Sequence, residues 1–230
     1  MMQTSSASEH LHDNVPVQKP PQFAERFVDR RQAEHYRDRF KKGRRARTNC
    51  LENALLRQLG ERIGHVQVAL DLPCGTGRLS RTLLEFADNV ILADSSSAML
   101  EVAREELPDP RVSCQLMDAE SISLPDASVD LVFCHRFLYH VTSESRRARM
   151  LSEMVRVTRR YVILSYYPPG FLNRWRQFRR RLLRRSTSGG SQLPENQYRE
   201  EIRAARLRFV HEVAFRHFPV TGVFFVLERA

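Results

Sequence analysis

The hydrophobic positions of this chain follow two spacings, and the change between them falls near residue 65. Residues 24–41 and 45–59 have apolar positions at helical spacing, which predicts two helices. Beyond them, short apolar runs alternate with amphipathic segments. The runs predict strands at 66–72, 89–94, 111–117, 129–134 and 161–167, and the segments predict helices at 78–87, 97–107 and 144–158. This alternation predicts an α/β fold, a doubly wound Rossmann-like sheet that is mostly parallel, with an N-terminal helical cap.

Two late apolar runs, 209–216 and 222–228, predict an antiparallel edge to this sheet. The first 22 residues are polar and contain three prolines, so we expect a disordered lead-in over 1–22. We expect one domain over 23–230. Its parts are a helical cap (23–64), a core (65–168), a basic helical insertion (169–206) and terminal strands (207–230).

Composition narrows the class of protein. A chain of 230 residues with 42% hydrophobic residues is large enough for a buried core. Its apolar runs are far shorter than the roughly 20 residues of a membrane span, and residues 1–22 contain no apolar stretch typical of a secretory signal. The cysteines are scattered, without the spacings of zinc sites or disulfide frameworks: Cys50, Cys74, Cys114 and Cys134. We therefore expect a cytoplasmic protein without a metal site.

The positive charge is concentrated in two segments. The chain has a net charge of +10, to which residues 25–47 contribute +6 and residues 171–185 contribute +7. The rest of the chain is therefore slightly acidic. Such segments are either solvated helix faces or contacts for an anionic partner such as phospholipid, lipopolysaccharide or nucleic acid.

A glycine turn follows the first predicted strand, in the sequence ALDLPCGTGRLS at 69–80. The strand ends in Asp71, and the chain then turns through Gly75 and Gly77. In an open parallel sheet, ligands bind beyond the carboxyl ends of the strands near this point. The nicotinamide pattern G-x-G-x-x-G ends here in Ser80 instead of glycine, and no phosphate-loop pattern G-x-x-x-x-G-K-[ST] occurs. The Asp71 carboxylate would repel a pyrophosphate and suits a ligand with an ammonium group.

The sequence Asp71-Leu-Pro-Cys-Gly75-Thr-Gly77 resembles the first motif of class I S-adenosylmethionine-dependent methyltransferases of the DLPCGTGR type, with a methyltransferase-11-like domain. Pro73 stands where the general pattern D/E-x-G-x-G-x-G has glycine. The resemblance covers about residues 66–168 and includes VILADSS and MDAESISLPDASVDLVFCHRFLYHV.

The resemblance implies S-adenosylmethionine as the cofactor and assigns residues to it. It implies that Asp94 binds the ribose hydroxyls, that Asp118 and Ala119 border the adenine, and that Cys134 lies beside the methionine part. Tyr36 is expected to close over that part, and Arg45 or Arg47 to meet its carboxylate. The implied cofactor-binding residues are Tyr36, Asp71, Leu72, Pro73, Cys74, Gly75, Gly77, Asp94, Ser95, Met99, Asp118, Ala119 and Cys134.

Candidate residues for the acceptor follow the fourth predicted strand. His135, Tyr139 and His140 are candidate general bases, and Arg136 is a candidate for holding an anionic substrate. On a short helix, residues 135 and 139 would share one face and residues 136 and 140 another. The alternatives are structural roles for the histidines and a surface ion pair for Arg136.

These observations predict a methyltransferase that acts on a small-molecule, lipid or glycan-precursor acceptor, with O-methylation favoured over N- or C-methylation. The absence of D/N-P-P-Y/F/W after the fourth strand disfavours methylation of exocyclic base amines. Two alternatives stay open: an RNA methyltransferase docked through the basic segments, and a non-catalytic protein that binds S-adenosylmethionine.

Segment 171–185 could serve one of several roles. Phe171, Trp175, Phe178 and Leu182 recur at helical spacing, with arginines on the opposite faces. A lid or acceptor-site cap is favoured, because methyltransferases of this type insert such an element after the fifth strand. Peripheral contact with an anionic membrane surface, on its inner face, and an oligomer contact are the other hypotheses.

Overall fold

The computed structural model describes residues 29–168, 193–217 and 220–230. The helices are α1 (Arg30–Asp38), α2 (Gly43–Ile63), α3 (Ser80–Leu83), α4 (Ser97–Glu106), α5 (Glu144–Val157) and α6 (Glu195–Ala204). The strands are β1 (Val66–Asp71), β2 (Ala87–Asp94), β3 (Val112–Leu116), β4 (Val129–Cys134), β5 (Thr158–Tyr166), β6 (Leu207–His217) and β7 (Val220–Arg229).

The strands of the described part form one sheet in the order β3-β2-β1-β4-β5-β7-β6. The pairs among β1 to β5 are parallel, whereas β7 is antiparallel to β5 and β6 is antiparallel to β7. This confirms the predicted doubly wound, mostly parallel sheet with an antiparallel edge. The central strands are apolar and buried along most of their length, as expected of a sheet covered on both faces.

The register brings the carboxyl ends of the central strands to one edge. Asp71 at the end of β1 lies opposite Leu92 of β2 and Phe133 of β4. The turn that follows β1 therefore lies between the ends of β2 and β4. This is the topological switch point of the sheet, where ligands of such folds bind.

The helix predicted over 78–87 is wrong in its length. The structure has helix only at Ser80–Leu83, and strand β2 already begins at Ala87. Val66 pairs with Ala87 at the start of β1, so the chain must leave the helix early to reach this register. Phe86, which the helical spacing assigned to the helix, packs in the core next to α2 instead.

The two N-terminal helices pack on the rest of the fold. Helix α1 contacts α4 through a small apolar cluster formed by Ala33, Ala98, Met99 and Val102. Helix α2 contributes Leu56, Leu59 and Ile63 to the main core. The predicted helix over 24–41 ends at Asp38 in the structure, and its first residues, 24–28, lie outside the described part.

Helix α6 is fixed to the core by polar contacts. Arg147 of α5, itself buried, forms a two-pronged ion pair with Glu201, with both nitrogen–oxygen distances 2.6 Å. The hydroxyl of Tyr166 donates to the Leu193 carbonyl at 2.9 Å. Of the basic insertion predicted over 169–206, residues 195–204 are helical. Segment 171–185 lies outside the described residues.

No helix within residues 29–168, 193–217 and 220–230 combines the length and the apolarity that crossing a membrane requires.

Candidate functional site

A cleft of about 690 Å³ opens at the carboxyl edge of the sheet, between the turn after β1 and helices α1 and α2. Many of the residues singled out from the sequence line it. These are Tyr36, Arg45, Asp71, Leu72, Pro73, Cys74, Gly75, Asp94, Ser95, Met99, Asp118, Ala119, His135, Arg136 and His140. Gly77, Cys134, Tyr139 and Arg47 are not among the lining residues. The roles assigned to all of them stay predictions.

The glycine turn exposes its backbone to this cleft. Gly75 and Gly77 have φ angles of 56° and 70°, in the left-handed region that favours glycine. A side chain at Gly75 would point toward Tyr36, whose ring carbon would lie 3.8 Å from the added Cβ. The turn is tied to β2 by the amide of Cys74, which donates to the Ala93 carbonyl at 2.8 Å. The Leu72–Pro73 peptide bond is cis.

Asp71 ends β1 as a buried carboxyl group at the base of the turn. The hydroxyl of Ser80 donates to its Oδ2 at 2.5 Å. Burial and the neighbouring Asp94 raise the pKa of Asp71 to about 7, against the opposing effects of Ser80 and Arg78. A cationic group that entered the cleft beside Asp71 would favour its ionised form.

Asp94 ends β2 on the neighbouring strand and faces the same turn. Its Oδ2 accepts from the Gly75 amide at 2.9 Å, and its Oδ1 accepts from the Ser96 amide at 3.0 Å. Burial raises its pKa. The cap of helix α4 is Ser96, whose hydroxyl accepts from the Met99 amide, so Asp94 is not occupied as a helix cap. Its carboxylate lines the cleft and can accept hydrogen bonds from a ligand.

Asp118 lies two residues beyond β3, on the same side of β1 as Asp94. Its Oδ1 accepts from the Glu120 amide at 2.9 Å, which fixes the carboxylate at the wall of the cleft. Ala119 beside it is buried. The acids that line the cleft therefore lie at the ends of β1 and β2 and after β3.

A buried ion cluster lies on the β4 side of β1, and its central residue, Glu52, was not among the residues predicted from the sequence. Glu52 of α2 is fully buried. Its Oε2 lies 2.6 Å from Nη1 of Arg78, and its Oε1 accepts from Nη2 of Arg136 at 2.6 Å and from the hydroxyl of Tyr167. Glu52 precedes the buried Leu56 by one helical turn. A carboxylate on an apolar helix face is a detectable anomaly in the sequence.

The partners of Glu52 keep it charged. Burial alone would raise the pKa of Glu52, but the guanidinium groups of Arg78 and Arg136 hold it well below its usual range. Arg78 is further fixed by a contact of 2.6 Å to Asn49 Oδ1 and by packing over the ring of Phe40, 4.3 Å from its centroid. The residue after the glycine turn is thus bound to the helical cap.

His135 is a neutral, stacked side chain in this cluster. Its Nε2 accepts a hydrogen bond from Nη2 of Arg78 at 3.1 Å, because a guanidinium can only donate. The ring stacks with Phe133 and Phe224 at centroid distances of 5.7 and 5.3 Å. Burial lowers the pKa of His135 to about 4. Its Nδ1 is buried, without a hydrogen-bond partner in the described part of the chain.

Arg136 has a strained backbone. Its φ angle is 53°, which is unusual for a residue other than glycine, and its amide donates to Ser165 Oγ at 2.8 Å. The short helix expected from residue 135 onward is therefore wrong at its start. The structure has only a 3-10 turn at Leu138–His140, and the predicted pairing of faces does not form.

The other candidates after β4 differ in access. His140 is exposed and lines the cleft. Tyr139 is buried against Tyr166, with ring centroids 5.7 Å apart, and burial raises its pKa. The thiol of Cys134 is buried as well, which raises its pKa. Of the three candidate general bases, which are His135, Tyr139 and His140, the last is thus the most accessible.

Two exposed arginines of the cap, Arg39 and Arg45, line the cleft at its mouth. Neither has an acidic partner within the residues that the structure describes. The same part of the chain contains no group of three or more His, Cys, Asp or Glu side chains arranged to hold a metal ion.

Comparisons with known proteins agree with this geometry. Residues 69–160 match a family described as a methyltransferase domain. A ubiquinone/menaquinone biosynthesis C-methyltransferase of Pseudoalteromonas translucida is 32% identical over 117 residues, which are 48% of this chain and 46% of the relative. An uncharacterised methyltransferase of Bacillus subtilis is 25% identical over 103 residues, 44% of this chain and 41% of the relative. The match thus spans about half the length of these curated relatives.

Solved structures share the fold. A magnesium protoporphyrin IX methyltransferase from Synechocystis with bound S-adenosylhomocysteine has a TM-score of 0.68 at 16% identity, covering 86% of this chain and 93% of that chain. An N-methyltransferase from Bradyrhizobium japonicum, also with S-adenosylhomocysteine, has a TM-score of 0.61 at 14% identity, covering 77% and 85%.

Proposed function

We propose that the protein transfers a methyl group from S-adenosylmethionine to an oxygen atom of a small-molecule acceptor. Residues 69–160 match a methyltransferase domain, and the fold is shared with a solved S-adenosylmethionine-dependent methyltransferase. The observation that supports this proposal most directly is the division of the cleft into an acidic side and a basic side. Asp71, Asp94 and Asp118 lie on one side, and His135 and Arg136 follow β4 on the other.

The acidic side suits the cofactor. Asp94 would accept hydrogen bonds from the ribose hydroxyls, and Asp118 with Ala119 would border the adenine. The buried carboxyl group of Asp71 would ionise beside the ammonium group of the methionine part. Gly75 has a left-handed backbone and no side chain, so the backbone of the turn can approach the cofactor closely there. Bound S-adenosylmethionine supplies an electrophilic methyl group on a sulfonium.

The chain's own contribution to the reaction is alignment. Walls formed by α1, α2 and the turn after β4 hold an acceptor against the cofactor side, and such positioning contributes roughly 7–11 kcal/mol to catalysis. His140, exposed in the cleft, would take the proton of a hydroxyl acceptor. His135 is unsuited to this role, because Arg78 already donates to its Nε2.

The charge of the basic side supports oxygen as the acceptor atom. Arginine side chains attract carboxylates and stabilise ionised hydroxyl groups, whereas they repel a protonated amine. An acceptor oxygen that is already ionised can attack the methyl group directly, without a base to remove a proton. The names of the relatives include a C-methyltransferase and an N-methyltransferase. The acceptor atom is therefore the part of the proposal that most needs a direct measurement.

Cofactor binding is tested by calorimetric titration with S-adenosylmethionine and S-adenosylhomocysteine, with NAD as the control. We expect micromolar binding of the first two and none of NAD. Binding of NAD alone would contradict the proposal. An activity assay that measures conversion of S-adenosylmethionine to S-adenosylhomocysteine then separates a methyltransferase from a non-catalytic binding protein. The latter would bind the cofactor without consuming it.

The acceptor class is tested with carbon-13-labelled methyl groups on S-adenosylmethionine and a cell extract of the source organism. We expect label in the small-molecule fraction, with a carbon-13 chemical shift typical of a methyl group on oxygen. Label in the RNA fraction would support the nucleic-acid alternative instead. A carbon-13 chemical shift typical of a methyl group on carbon or nitrogen would overturn the proposal of O-methylation. That segment 171–185 forms a lid or acceptor-site cap, contacts an anionic membrane surface or makes an oligomer contact stays a prediction.

A further inference from the structure

We infer that the basic side of the cleft is an oxyanion subsite, and that the acceptor binds there through a carboxylate or phosphate group held by Arg136, with Arg39 and Arg45 at the mouth. This inference rests on the proposed function and specifies the substrate class of the same site.

The inner arginines, Arg78 and Arg136, carry more charge than their shared partner. Both pair with one carboxylate, that of Glu52, so the three groups leave one positive charge in excess. An excess charge on partly buried guanidinium groups is costly unless a counter-ion neutralises it. An anionic ligand group in the cleft would supply that counter-ion.

Of these two arginines, Arg136 is more accessible to a ligand than Arg78. Arg78 contacts Asn49, Glu52 and His135 and is 12% exposed at its side chain. Arg136 is 27% exposed and lines the cleft, with contacts to Glu52 through Nε and Nη2. The more exposed guanidinium is therefore the one that a ligand can reach.

Arg136 has a strained backbone, because its φ of 53° lies in the left-handed region that a residue with a side chain rarely adopts. Such outliers cluster at functional sites. The Arg136 guanidinium lies over the ring of Tyr167, 4.3 Å from its centroid, and donates to Glu52. These contacts fix the planar guanidinium before any ligand arrives, and its geometry matches an oxyanion.

Arg39 and Arg45 add positive charge at the mouth of the cleft. Both are exposed, both line the cleft, and neither has an acidic partner in the described part of the chain. The carboxylate of the cofactor's methionine part would neutralise one arginine at most. At least one further positive charge then stays for the acceptor and draws anions into the mouth of the cleft.

The test uses protein saturated with S-adenosylhomocysteine and four small probes: benzoate, phenyl phosphate, benzyl alcohol and benzamide. Binding is followed by calorimetry and by ligand-observed NMR. We expect benzoate or phenyl phosphate to bind at least tenfold more tightly than the neutral benzamide and benzyl alcohol, because charge-assisted hydrogen bonds are worth about a tenfold factor or more. Comparison of the two anions identifies which oxyanion the subsite prefers. Equal binding of charged and neutral probes, or binding of none of them, would overturn the inference.

Variants locate the subsite. Arg136→Gln is expected to weaken the anionic probe at least tenfold, and Arg39→Gln and Arg45→Gln to weaken it severalfold. Arg44→Gln is the matched control, because Arg44 is an exposed neighbour of Arg45 that does not line the cleft. Should Arg136→Gln fail to fold, the two exposed positions carry the test. An effect of Arg44→Gln as large as that of Arg45→Gln would point to general surface charge and overturn the subsite.

A second ligand pair separates the acceptor from the cofactor. S-adenosylhomocysteine has an amino-acid carboxylate, and 5′-methylthioadenosine lacks it. If Arg136→Gln weakens the former and leaves the latter unchanged, Arg136 binds the cofactor's carboxylate and the acceptor assignment is wrong. If neither nucleoside binds to the wild-type protein, the proposed function fails, which is distinguishable from failure of the anion subsite.

Discussion

Oε2 of Glu52 lies 2.6 Å from Nη1 of Arg78, so a fully buried carboxylate of the helical cap is paired with the residue that follows the glycine turn. The other carboxylate oxygen of Glu52 accepts from Arg136, beyond β4. The side chain of Glu52 thus connects the helical cap, the glycine turn and the basic side of the cleft.

Glu52→Gln is expected to lower the free energy of unfolding by about 3–5 kcal/mol, because it leaves two guanidinium groups without their shared counter-ion. Urea denaturation measures the change. Glu61→Gln is the control, since Glu61 lies on the same helix and is exposed. Losses of similar size in the two variants would show that the buried cluster is not what stabilises this region.

The fold was predictable to a large extent because its central strands are buried on both faces. Such strands are continuous apolar runs, and β1, β2, β4 and β5 begin or end within a few residues of the runs at 66–72, 89–94, 129–134 and 161–167. The helix predicted over 78–87 was wrong because periodicity does not register the pairing of Val66 with Ala87. To reach that pairing, the chain leaves the helix after Leu83, turns through residues 84–86 and starts β2 at Ala87.

The acidic side of the cleft was accessible from the sequence, since each acid directly follows or ends an apolar run. The basic side was not. Glu52 and Arg136 are 84 residues apart, and only the fold brings them together. The left-handed backbone of Arg136 also breaks the short helix expected there, and no local pattern predicts such strain.

Asp94→Asn is expected to weaken the binding of S-adenosylhomocysteine by about 1.5–3 kcal/mol, the usual value for a hydrogen bond to a charged group. Asparagine keeps the shape of the side chain and one acceptor oxygen, so the contacts to the Gly75 and Ser96 amides are disturbed less than by alanine. Calorimetry measures the affinity. Asp88→Asn serves as the control, because Asp88 is exposed near the other end of β2. An unchanged affinity in folded Asp94→Asn would exclude Asp94 as a ribose ligand.

Gly60→Ala is expected to destabilise the protein by about 1–3 kcal/mol, the usual cost of overpacking. In most helices the same change stabilises by about 0.5–1 kcal/mol. The sign is reversed here because the new Cβ would overlap Cδ1 of the buried Phe86 and lie 2.8 Å from its Cε1. Thermal or urea unfolding measures it, with the exposed Gln58→Ala as the control on the same helix.

A double-mutant cycle tests the cause of that loss. Phe86→Leu removes the ring that the new methyl group would meet, so Gly60→Ala is expected to cost less in the Phe86→Leu background than in the wild type. Equal costs in the two backgrounds would mean that the α2 backbone, and not this contact, is responsible.

The carboxyl group of Asp71 is expected to make the protein less stable as the pH rises. Its pKa rises from 3.8 to about 7 on folding, so between these values the folded state holds a proton that the unfolded state has lost. The contribution is fully present below the unfolded pKa and is lost as the pH passes the folded one. It amounts to about 4 kcal/mol, at 1.36 kcal/mol for each unit. Urea unfolding of the wild type and of Asp71→Asn between about pH 4 and pH 8 measures it. Identical pH dependence in both would rule out Asp71 as the source.

The same carboxyl group links protonation to cofactor binding. An ammonium group beside Asp71 favours the ionised carboxylate, so S-adenosylhomocysteine is expected to release a proton when it binds below about pH 7. Titrations in two buffers that differ in ionisation enthalpy measure the released protons. 5′-Methylthioadenosine is the matched control, because it has the same nucleoside without the ammonium group and is expected to release none. Equal release by both nucleosides would place the ammonium group away from Asp71 and return the role of this buried acid to the turn itself, where it accepts from Ser80.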